Sequence, residues 1–444
     1  MFTRKQLMKL ILPLIVEQFL AVAVGMADTI MITIRGEEAV SGISLVDTLN
    51  ILLIGLFSAL ATGGAVVAAQ YLGHKDKENA KKAANQLVLT VSVLSILLMT
   101  ISLVANRGIL HLIYGDLDPA IMKYARTYFY LTAASYPFIA LYNAGAALFR
   151  AMGNSKVSMR VSIGMNAINI AGNAILIYGF GLSVEGAAIP TLVSRIIAAI
   201  WIMSKLRKPV HDISIDSIFH LGYEPKMIKR ILRIGIPNGL ENSVFQIGKI
   251  LVSGLVASFG TVAIAANAVG NSVANFNCIP GSAIGLAMIP VVGQSVGAGD
   301  LKGAKKYIWK LMSYAYVAMI LLNVIMILIM PQVVGIFHLS METQQLATKI
   351  LIYHCICCMF IWPMAFTLPN ALRAANDVKY TMVISIVSMW TFRIALSYIL
   401  AKAFGLGLFG IWIAMTVDWV FRAIFFVVRI INDKWKTHAY MESN

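Results

Sequence analysis

Long runs of hydrophobic residues recur along the whole chain, and short polar segments separate them. Most of these runs reach or exceed the roughly 20 residues that an α-helix needs to cross a bilayer. The runs are continuous and do not alternate between polar and apolar positions, so they exclude the ~10-residue alternating strands of a membrane β-barrel. The pattern predicts an all-α polytopic membrane protein.

Twelve transmembrane helices account for these runs. Their predicted bounds are 8–34, 43–71, 84–106, 120–148, 158–180, 186–206, 229–258, 263–295, 307–331, 346–370, 380–402 and 408–431. A hydrophilic stretch near residues 207–228 is the only long linker between them. It predicts an N-terminal lobe of six helices, residues 1–210, and a C-terminal lobe of six, residues 211–444.

Composition and charge give the orientation. Only 13% of the 444 residues are charged, and the mean hydropathy is +0.79. The net charge of +16 comes from Lys and Arg in alternate loops. Because basic loops stay on the cytoplasmic side, this distribution favours a multi-pass cell-membrane protein with both termini in the cytoplasm, and it argues against nucleic acid as a partner.

The chain contains an internal repeat. "LPLIVEQ" and "IPNGLEN" place Pro13 and Glu17 each 224 residues before Pro237 and Glu241. The same offset, within one residue, relates glycines and basic loop residues through almost the whole half-chain. Parallel repeats of this kind are typical of secondary transporters, in which the substrate path lies between the two bundles.

The two halves differ at a few polar positions. Asp28 corresponds to a valine in the second half, and Asn169, Asn173 and Thr191 correspond to phenylalanine, leucine and methionine. Residues shared by both halves are expected to be architectural, whereas polar residues present in one half are candidates for function. The first half is therefore predicted to hold the functional polar site.

Helical spacing brings these residues together. Asn166, Asn169 and Asn173 share one face of the fifth helix, because they are three and four positions apart. Asp28 lies about 28 Å along its helix from Lys9, in the outer half of the membrane, and Asn173 and Thr191 lie at a similar depth.

An intramembrane carboxylate normally faces a partner or a bound cation. Asn and Thr also join membrane helices by hydrogen bonds alone, which is the alternative interpretation. The grouping around Asp28 favours a site for H⁺ or Na⁺.

At these residues the chain resembles the multidrug and toxic compound extrusion (MATE) family of secondary transporters. Pro13, Asp28, Asn169 and Asn173 carry the resemblance, with the segments "GAAIPTLVS", "LFRAMGNSK" and "GIWIAMTVDWVFRAIFF". It covers both six-helix lobes. It implies export of small, often cationic organic compounds driven by inward flow of H⁺ or Na⁺, with no cofactor and no enzymatic activity, and we expect a monomer.

The resemblance also implies site residues. Asp28, Asn169, Asn173 and Thr191 match the family's N-terminal-lobe cation site, and Asn143 lies at a further position that resembles a site residue. Some members have a second aspartate where this chain has Asn173. Others bind Na⁺ with acids in the seventh and tenth helices, and the tenth helix here has none.

Other residues have expected structural roles. Glu17 and Glu241 are shared by both halves and are interpreted as architectural or as parts of an inner gate. Pro13 and Pro280 are expected to kink or break their helices.

Three alternatives remain. A passive channel would need Asp28 to be repeated so that it could form a ring, and the second half does not repeat it. A flippase for a lipid-linked saccharide, from the same superfamily, would need cationic cavity residues to hold pyrophosphate. An enzyme would need a catalytic motif, and none is found. The four cysteines lack the paired spacing of a zinc site, and His354 is interpreted as a packing or gating residue.

Overall fold

The structure is a computed structural model that describes residues 2–215 and 222–439. Helices account for most of these residues, and no strand occurs among them. The helices of the first half are α1 (Arg4–Thr33), α2 (Glu37–Gly73), α3 (Lys77–Val104), α4 (Asn106–Tyr114), α5 (Pro119–Ala134), α6 (Tyr136–Ala151), α7 (Ser155–Asn173) and α8 (Val184–Leu206).

The second half repeats this order. Its helices are α9 (Pro225–Ala257), α10 (Thr261–Asn277), α11 (Ile279–Gly297), α12 (Leu301–Leu328), α13 (Met330–Gly335), α14 (Met341–Phe360), α15 (Pro369–Ala374), α16 (Val378–Ser388), α17 (Leu396–Tyr398) and α18 (Gly407–Ile431). Helix α12 begins and ends 224 residues after α3, and α10–α11 together span the range that corresponds to α2. The repeat found in the sequence thus holds for the helix bounds.

Nine described helices are long and apolar enough to cross a membrane, and a tenth span is the pair Met341–Phe360 and Pro363–Ala374, bent by 61°. Helix α9 and the broken pair α5–α6 supply the other two predicted spans. In the pair, α5 ends at Ala134 and α6 begins at Tyr136, with Pro137 in its first turn. The predicted fold, an all-α protein with twelve transmembrane helices in two six-helix lobes, is confirmed.

Stretches of π-helix at residues 174–179, 363–367, 389–395 and 399–403 interrupt the α-helical pattern. The first directly follows Asn173 at the end of α7. π-Helical turns are rare overall, and those that occur are frequently at functional sites. The stretch at 174–179 therefore marks the C-terminal end of α7 as a candidate functional region.

The described residues divide into two compact units, the first unit Phe2–Gly239 and the second unit Leu240–Asn444. The division falls inside α9. The predicted domain boundary near residue 210 remains a sequence prediction. In the first unit, α7 packs on α1 and α8, while α2 packs on α3, α5 and α6. Helix α8 also contacts α5 and α6, so it borders both groups of helices.

Candidate functional site

Helices α1, α7 and α8 of the first unit pack closely around the predicted coupling residues. A Cβ on Gly172 of α7 would lie 2.6 Å from the Cβ of Pro190 on α8, so only glycine permits this approach. Near the end of α1, the guanidinium group of Arg35 donates a hydrogen bond to the carbonyl of Ile177 in the π-helical stretch after α7. These contacts hold the three helices in register at the level of the site.

Hydrogen bonds join four of the six predicted coupling residues. The Asn173 amide nitrogen donates to Asp28 Oδ1 at 2.7 Å, and it lies 3.5 Å from Asn169 Oδ1. The Asn169 amide nitrogen donates to Thr191 Oγ1 at 2.9 Å, and the Thr191 hydroxyl donates to the carbonyl of Ala187 at 2.8 Å. Asp28, Asn173, Asn169 and Thr191 thus form one polar chain across three helices.

The other two predicted residues are not bonded to this chain. The Asn166 amide nitrogen donates to Ser162 Oγ at 3.3 Å, one helical turn earlier on α7. The Asn143 amide nitrogen is buried and has no hydrogen-bond partner among the described residues. Helical spacing alone placed Asn166 on the correct face, but its amide turns towards its own helix.

The donor set fits a hard monovalent cation or a proton. Asn173 is fully buried, and its Oδ1 oxygen has no hydrogen-bond partner in the described chain. A buried carbonyl oxygen without a partner is costly, and it lies on the residue that also bonds the Asp28 carboxylate. Carboxylate, amide and hydroxyl oxygens are the ligands that hard cations prefer. Asp28 and Asn173 could hold such an ion, and the other two predicted ligands, Asn169 and Thr191, adjoin them through hydrogen bonds.

A second polar cluster, which the sequence analysis missed, adjoins this chain. Asp47 on α2 accepts hydrogen bonds from Tyr128 (3.1 Å) and Asn50 (3.3 Å). Arg195 on α8 donates to Ser135 Oγ at 2.7 Å, at the break between α5 and α6. Asp28, Asp47 and Arg195 are close enough to interact electrostatically. The polar region of the first unit therefore holds two carboxylates and one guanidinium.

One signal in the sequence could have found this cluster. Arg195 lies in a predicted span without a neighbouring acid, and an intramembrane arginine requires a counter-charge. Asp47 is an acid near the start of the predicted span 43–71, and it is replaced by asparagine at the corresponding position of the second half. A search within each half for an intramembrane acid to pair with each unpaired intramembrane base would have related Asp47 to Arg195.

Glu17 and Glu241 make the same contact in the two halves. Arg150 Nη1 lies 3.3 Å from Glu17 Oε1, and Arg373 Nη2 lies 2.8 Å from Glu241 Oε1. A serine hydroxyl also donates to each glutamate, at 3.0 Å to Glu17 and 2.7 Å to Glu241. Each carboxylate is thus buried with an arginine partner, and neither hydrogen-bonds a member of the Asp28 chain.

The two prolines have different surroundings. Helix α1 continues through Pro13 from Arg4 to Thr33. Pro280 lies in the first turn of α11, directly after the break at Cys278 that separates α10 from α11. A proline in a first helical turn gives up no hydrogen bond, so the break and Pro280 are compatible.

The second unit holds a basic pocket. Arg422 Nε lies 2.9 Å from Asp418 Oδ1, and Arg393 Nη1 lies 3.7 Å from Asp418 Oδ2, which gives both arginines one shared carboxylate. Arg393 also lines a small pocket of about 40 Å³ together with Lys249, Asn267 and Trp412. The electrostatic neighbours of Lys249 in the described chain are Arg393 and Cys278 rather than a carboxylate.

Comparison with known proteins agrees with this architecture. The MatE family model matches the chain twice, over residues 13–175 and 237–399, and the two matches are 224 residues apart at both ends. The chain is 27% identical over 438 residues to "Uncharacterized transporter YisQ" of Bacillus subtilis, covering 97% of this chain and 93% of that protein. It is 26% identical over 459 residues to "Probable multidrug resistance protein NorM" of Thermotoga maritima, covering 99% and 94%.

Solved structures share the fold. One is described as the outward-facing conformation of a multidrug resistance MATE family transporter of the MOP superfamily. It superposes with a TM-score of 0.89 at 20% identity, over 97% of this chain and 96% of that one. Another, a MOP superfamily transporter from Pyrococcus furiosus described as having a binding pocket of reverse polarity, gives 0.89 at 19% identity, over 98% and 97%. Since the two family matches cover more than half of the sequence, the chain belongs to the MatE family, the multidrug and toxic compound extrusion transporters.

Proposed function

We propose that this MatE protein is a secondary active efflux transporter that exports small lipophilic or cationic organic compounds in exchange for entering H⁺ or Na⁺. Relatives similar to this chain along almost their whole length carry the name multidrug resistance protein, which supports small organic substrates. The proposed location is the cell membrane, with both termini in the cytoplasm, and the proposed active form is a monomer.

One observation carries the proposal. The Asp28 carboxylate is bonded to Asn173, and Asn173 adjoins the Asn169–Thr191 pair, in the first half only. The corresponding positions of the second half hold Val252, Leu396, Phe392 and Met415. A structural network required by the fold would be expected in both halves, as the Glu17 and Glu241 ion pairs are.

Charge balance supports one monovalent cation per transport cycle. With Asp28 and Asp47 ionised and Arg195 protonated, the polar region of the first unit carries one net negative charge. An unbalanced charge in a low-dielectric interior is unfavourable. Binding one H⁺ or Na⁺ at Asp28 neutralises the region.

Coupling then requires only that the ion and the substrate favour different conformations. In the proposed cycle, a cation that reaches Asp28 from outside stabilises the conformation that releases substrate. Loss of that cation to the cytoplasm returns the transporter to the conformation that takes up substrate. The gradient of the cation supplies the driving force.

The test is transport of a fluorescent cationic dye in everted vesicles, with pH and Na⁺ gradients imposed separately. The variant Asp28→Asn should abolish gradient-driven dye transport, because an amide cannot exchange a proton and lacks the charge that attracts Na⁺. Glu38→Gln, at an exposed acid in the first turn of α2, is the matched control and should transport normally. Full gradient-driven transport by Asp28→Asn at equal expression would refute the assignment.

A second candidate function is export of an anionic substrate, such as the lipid-linked saccharide of a flippase. The observation that favours it is the pocket lined by Lys249 and Arg393. The pocket holds two cationic side chains, and only Arg393 has a carboxylate partner among the described residues, Asp418 at 3.7 Å.

Substrate charge distinguishes the two candidates. If the substrate is anionic, an anionic dye should be transported and should protect Lys249 from an amine-reactive reagent, and Lys249→Gln should abolish both effects. If the substrate is cationic, the cationic dye should be transported, and Lys249→Gln should leave its transport intact or improve it by removing a repulsive charge.

A further inference from the structure

Three residues with metal-ligating side chains meet in the second unit. Cys278 lies at the break between α10 and α11, and His354 and Cys358 lie one helical turn apart on α14. One ligand atom from each residue lies within 4.8 Å of the other two. The two sulfur atoms are 3.7 Å apart. The sequence spacing conceals this cluster, because 76 residues separate Cys278 from His354.

Two of the three residues are buried, and the cluster has an unsatisfied nitrogen. His354 is 2% exposed and Cys358 is fully buried, whereas Cys278 is partly buried. The imidazole packs edge-on against Trp412 and Trp419, with ring centroids 5.5 and 5.4 Å away, so its orientation is fixed. Its Nδ1 nitrogen has no hydrogen-bond partner among the described residues. A buried imidazole nitrogen without a partner is costly unless something absent from the described chain satisfies the ring.

We propose that Cys278, His354 and Cys358 bind a thiophilic d¹⁰ metal ion, Zn²⁺ or Cu⁺. Two thiolates and one imidazole are a ligand set that proteins use for both ions. Binding forms two metal–sulfur bonds and one metal–nitrogen bond, and each thiol releases its proton. The bound ion would tie the interrupted α10–α11 region to α14.

Charge balance suits a site at this depth. Zn²⁺ with two thiolates and a neutral imidazole has no net charge. Cu⁺ with the same ligands has a charge of −1, and Lys249 lies close enough to Cys278 to interact with it electrostatically. Either complex therefore avoids the free-energy penalty of an isolated charge away from water.

A disulfide is the competing arrangement of the same atoms. Its sulfur atoms must approach to about 2.05 Å, whereas Cys278 and Cys358 remain 3.7 Å apart with both thiols free. A disulfide would also remove both sulfur ligands, so the two arrangements exclude each other and can be separated by experiment.

The test uses the full-length protein, purified under reducing conditions and desalted after incubation with Zn²⁺ alone or Cu⁺ alone. We expect about one metal ion per chain, measured by elemental analysis. Competition with a chromophoric chelator should show binding weakened by at least roughly 100-fold in Cys278→Ser and Cys358→Ser. Cys357→Ser is the matched control, since Cys357 is on the same helix but outside the cluster, and it should bind as the unmodified protein does.

A second measurement needs no variant. Co²⁺ added to the reduced protein should produce a thiolate-to-cobalt charge-transfer band, and Zn²⁺ should remove it by displacement. The proposal is overturned by equal metal content in the Cys278→Ser/Cys358→Ser double variant and the unmodified protein, or by the lack of a charge-transfer band. It is equally overturned by a Cys278–Cys358 disulfide in protein isolated under reducing conditions.

Discussion

At the scale of single residues, Asn173 connects Asp28 to the rest of the proposed coupling site. Its amide nitrogen bonds Asp28 on another helix, while its amide oxygen is buried without a partner in the described chain. An aspartate here would place a second negative charge beside Asp28. The asparagine provides a neutral oxygen ligand instead, so Asp28 is the only charged member of the chain that it forms with Asn173, Asn169 and Thr191.

Replacing Asn173 by leucine should therefore weaken coupling without unfolding the protein. A hydrogen bond to a charged group is worth about 1.5–3 kcal/mol, which corresponds to roughly a 10- to 100-fold increase in the H⁺ or Na⁺ concentration needed for half-maximal efflux. The measurement is dye transport in everted vesicles across a range of pH and Na⁺ concentrations. Asn166→Leu is the control, because Asn166 bonds Ser162 and no member of the chain. An equal loss in both variants would contradict a specific role for Asn173.

Site residues could be predicted from the sequence in two cases. Either they recur at helical spacing on one helix, or the second half of the repeat has an apolar residue at the corresponding position. Asn169 and Asn173 share a helical face, and the second half marks Asp28 and Thr191 as exceptions. Asp47 and Arg195 escaped prediction, because their relation depends on the packing of α8 between two groups of helices. No local spacing encodes that packing.

The Asp47–Arg195 interaction should be visible in stability. Asp47 and Arg195 are both partly buried and interact electrostatically, so removing the carboxylate leaves the guanidinium with less counter-charge away from water. We expect Asp47→Asn to lower the melting temperature in detergent, and the double variant Asp47→Asn/Arg195→Gln to recover a large part of the loss. Asp212→Asn is the control. Its partner Lys77 is 2.8 Å away, but both side chains are more than half exposed, so the change should be small. Additive effects of the two substitutions would rule out the interaction.

At the scale of elements, prolines lie beside three helix breaks, and only the one at Pro280 was expected from the sequence. Helix α2 runs unbroken from Glu37 to Gly73, whereas the corresponding range of the second half is divided at Cys278, two residues before Pro280. Pro137 and Pro363 likewise mark the breaks of the fourth and tenth spans. The π-helical stretches were not predicted. A π-turn shifts the hydrogen-bond register by one residue, and the stretches at 174–179, 389–395 and 399–403 contain no proline that would mark the shift.

Close helix packing depends on glycine at one position of α2. A Cβ on Gly63 would lie 2.7 Å from the carbonyl oxygen of Ile231 and 2.9 Å from the nitrogen of Gly235, both backbone atoms of α9. The backbone atoms of α9 cannot shift without a loss of stability, and overpacking typically lowers the free energy of unfolding by about 1–3 kcal/mol. Gly63→Ala should therefore lower the melting temperature. Gly55→Ala on the same helix has open space around its new Cβ and should leave stability unchanged or raise it slightly. Equal melting temperatures for the two variants would disprove this close contact.

At the scale of the whole molecule, the two units carry polar regions of opposite charge. Asp28, Asp47 and Arg195 leave one net negative charge in the first unit. In the second unit, three cationic side chains accompany the carboxylate of Asp418, namely Lys249, Arg393 and Arg422. This polar region therefore carries two net positive charges. Duplication explains the shared helix order, and the divergence of these few positions gave the halves different chemistry. The proposed cation site and the basic pocket thus lie in different halves of the chain.

Orientation in the membrane follows from the repeat and the loop charges together. Each half has six spans, so corresponding loops of the two halves must face the same side. The loops after α2 and α10–α11 are basic and should be cytoplasmic. In a background lacking the four native cysteines, Lys75→Cys and Gly299→Cys should react with a membrane-impermeant maleimide only after the cells are permeabilised. Glu37→Cys and Thr261→Cys, at the exposed first residues of α2 and α10, should react in intact cells. Labelling of Lys75→Cys and Gly299→Cys from opposite sides would contradict the parallel repeat, and labelling of both in intact cells would reverse the proposed orientation.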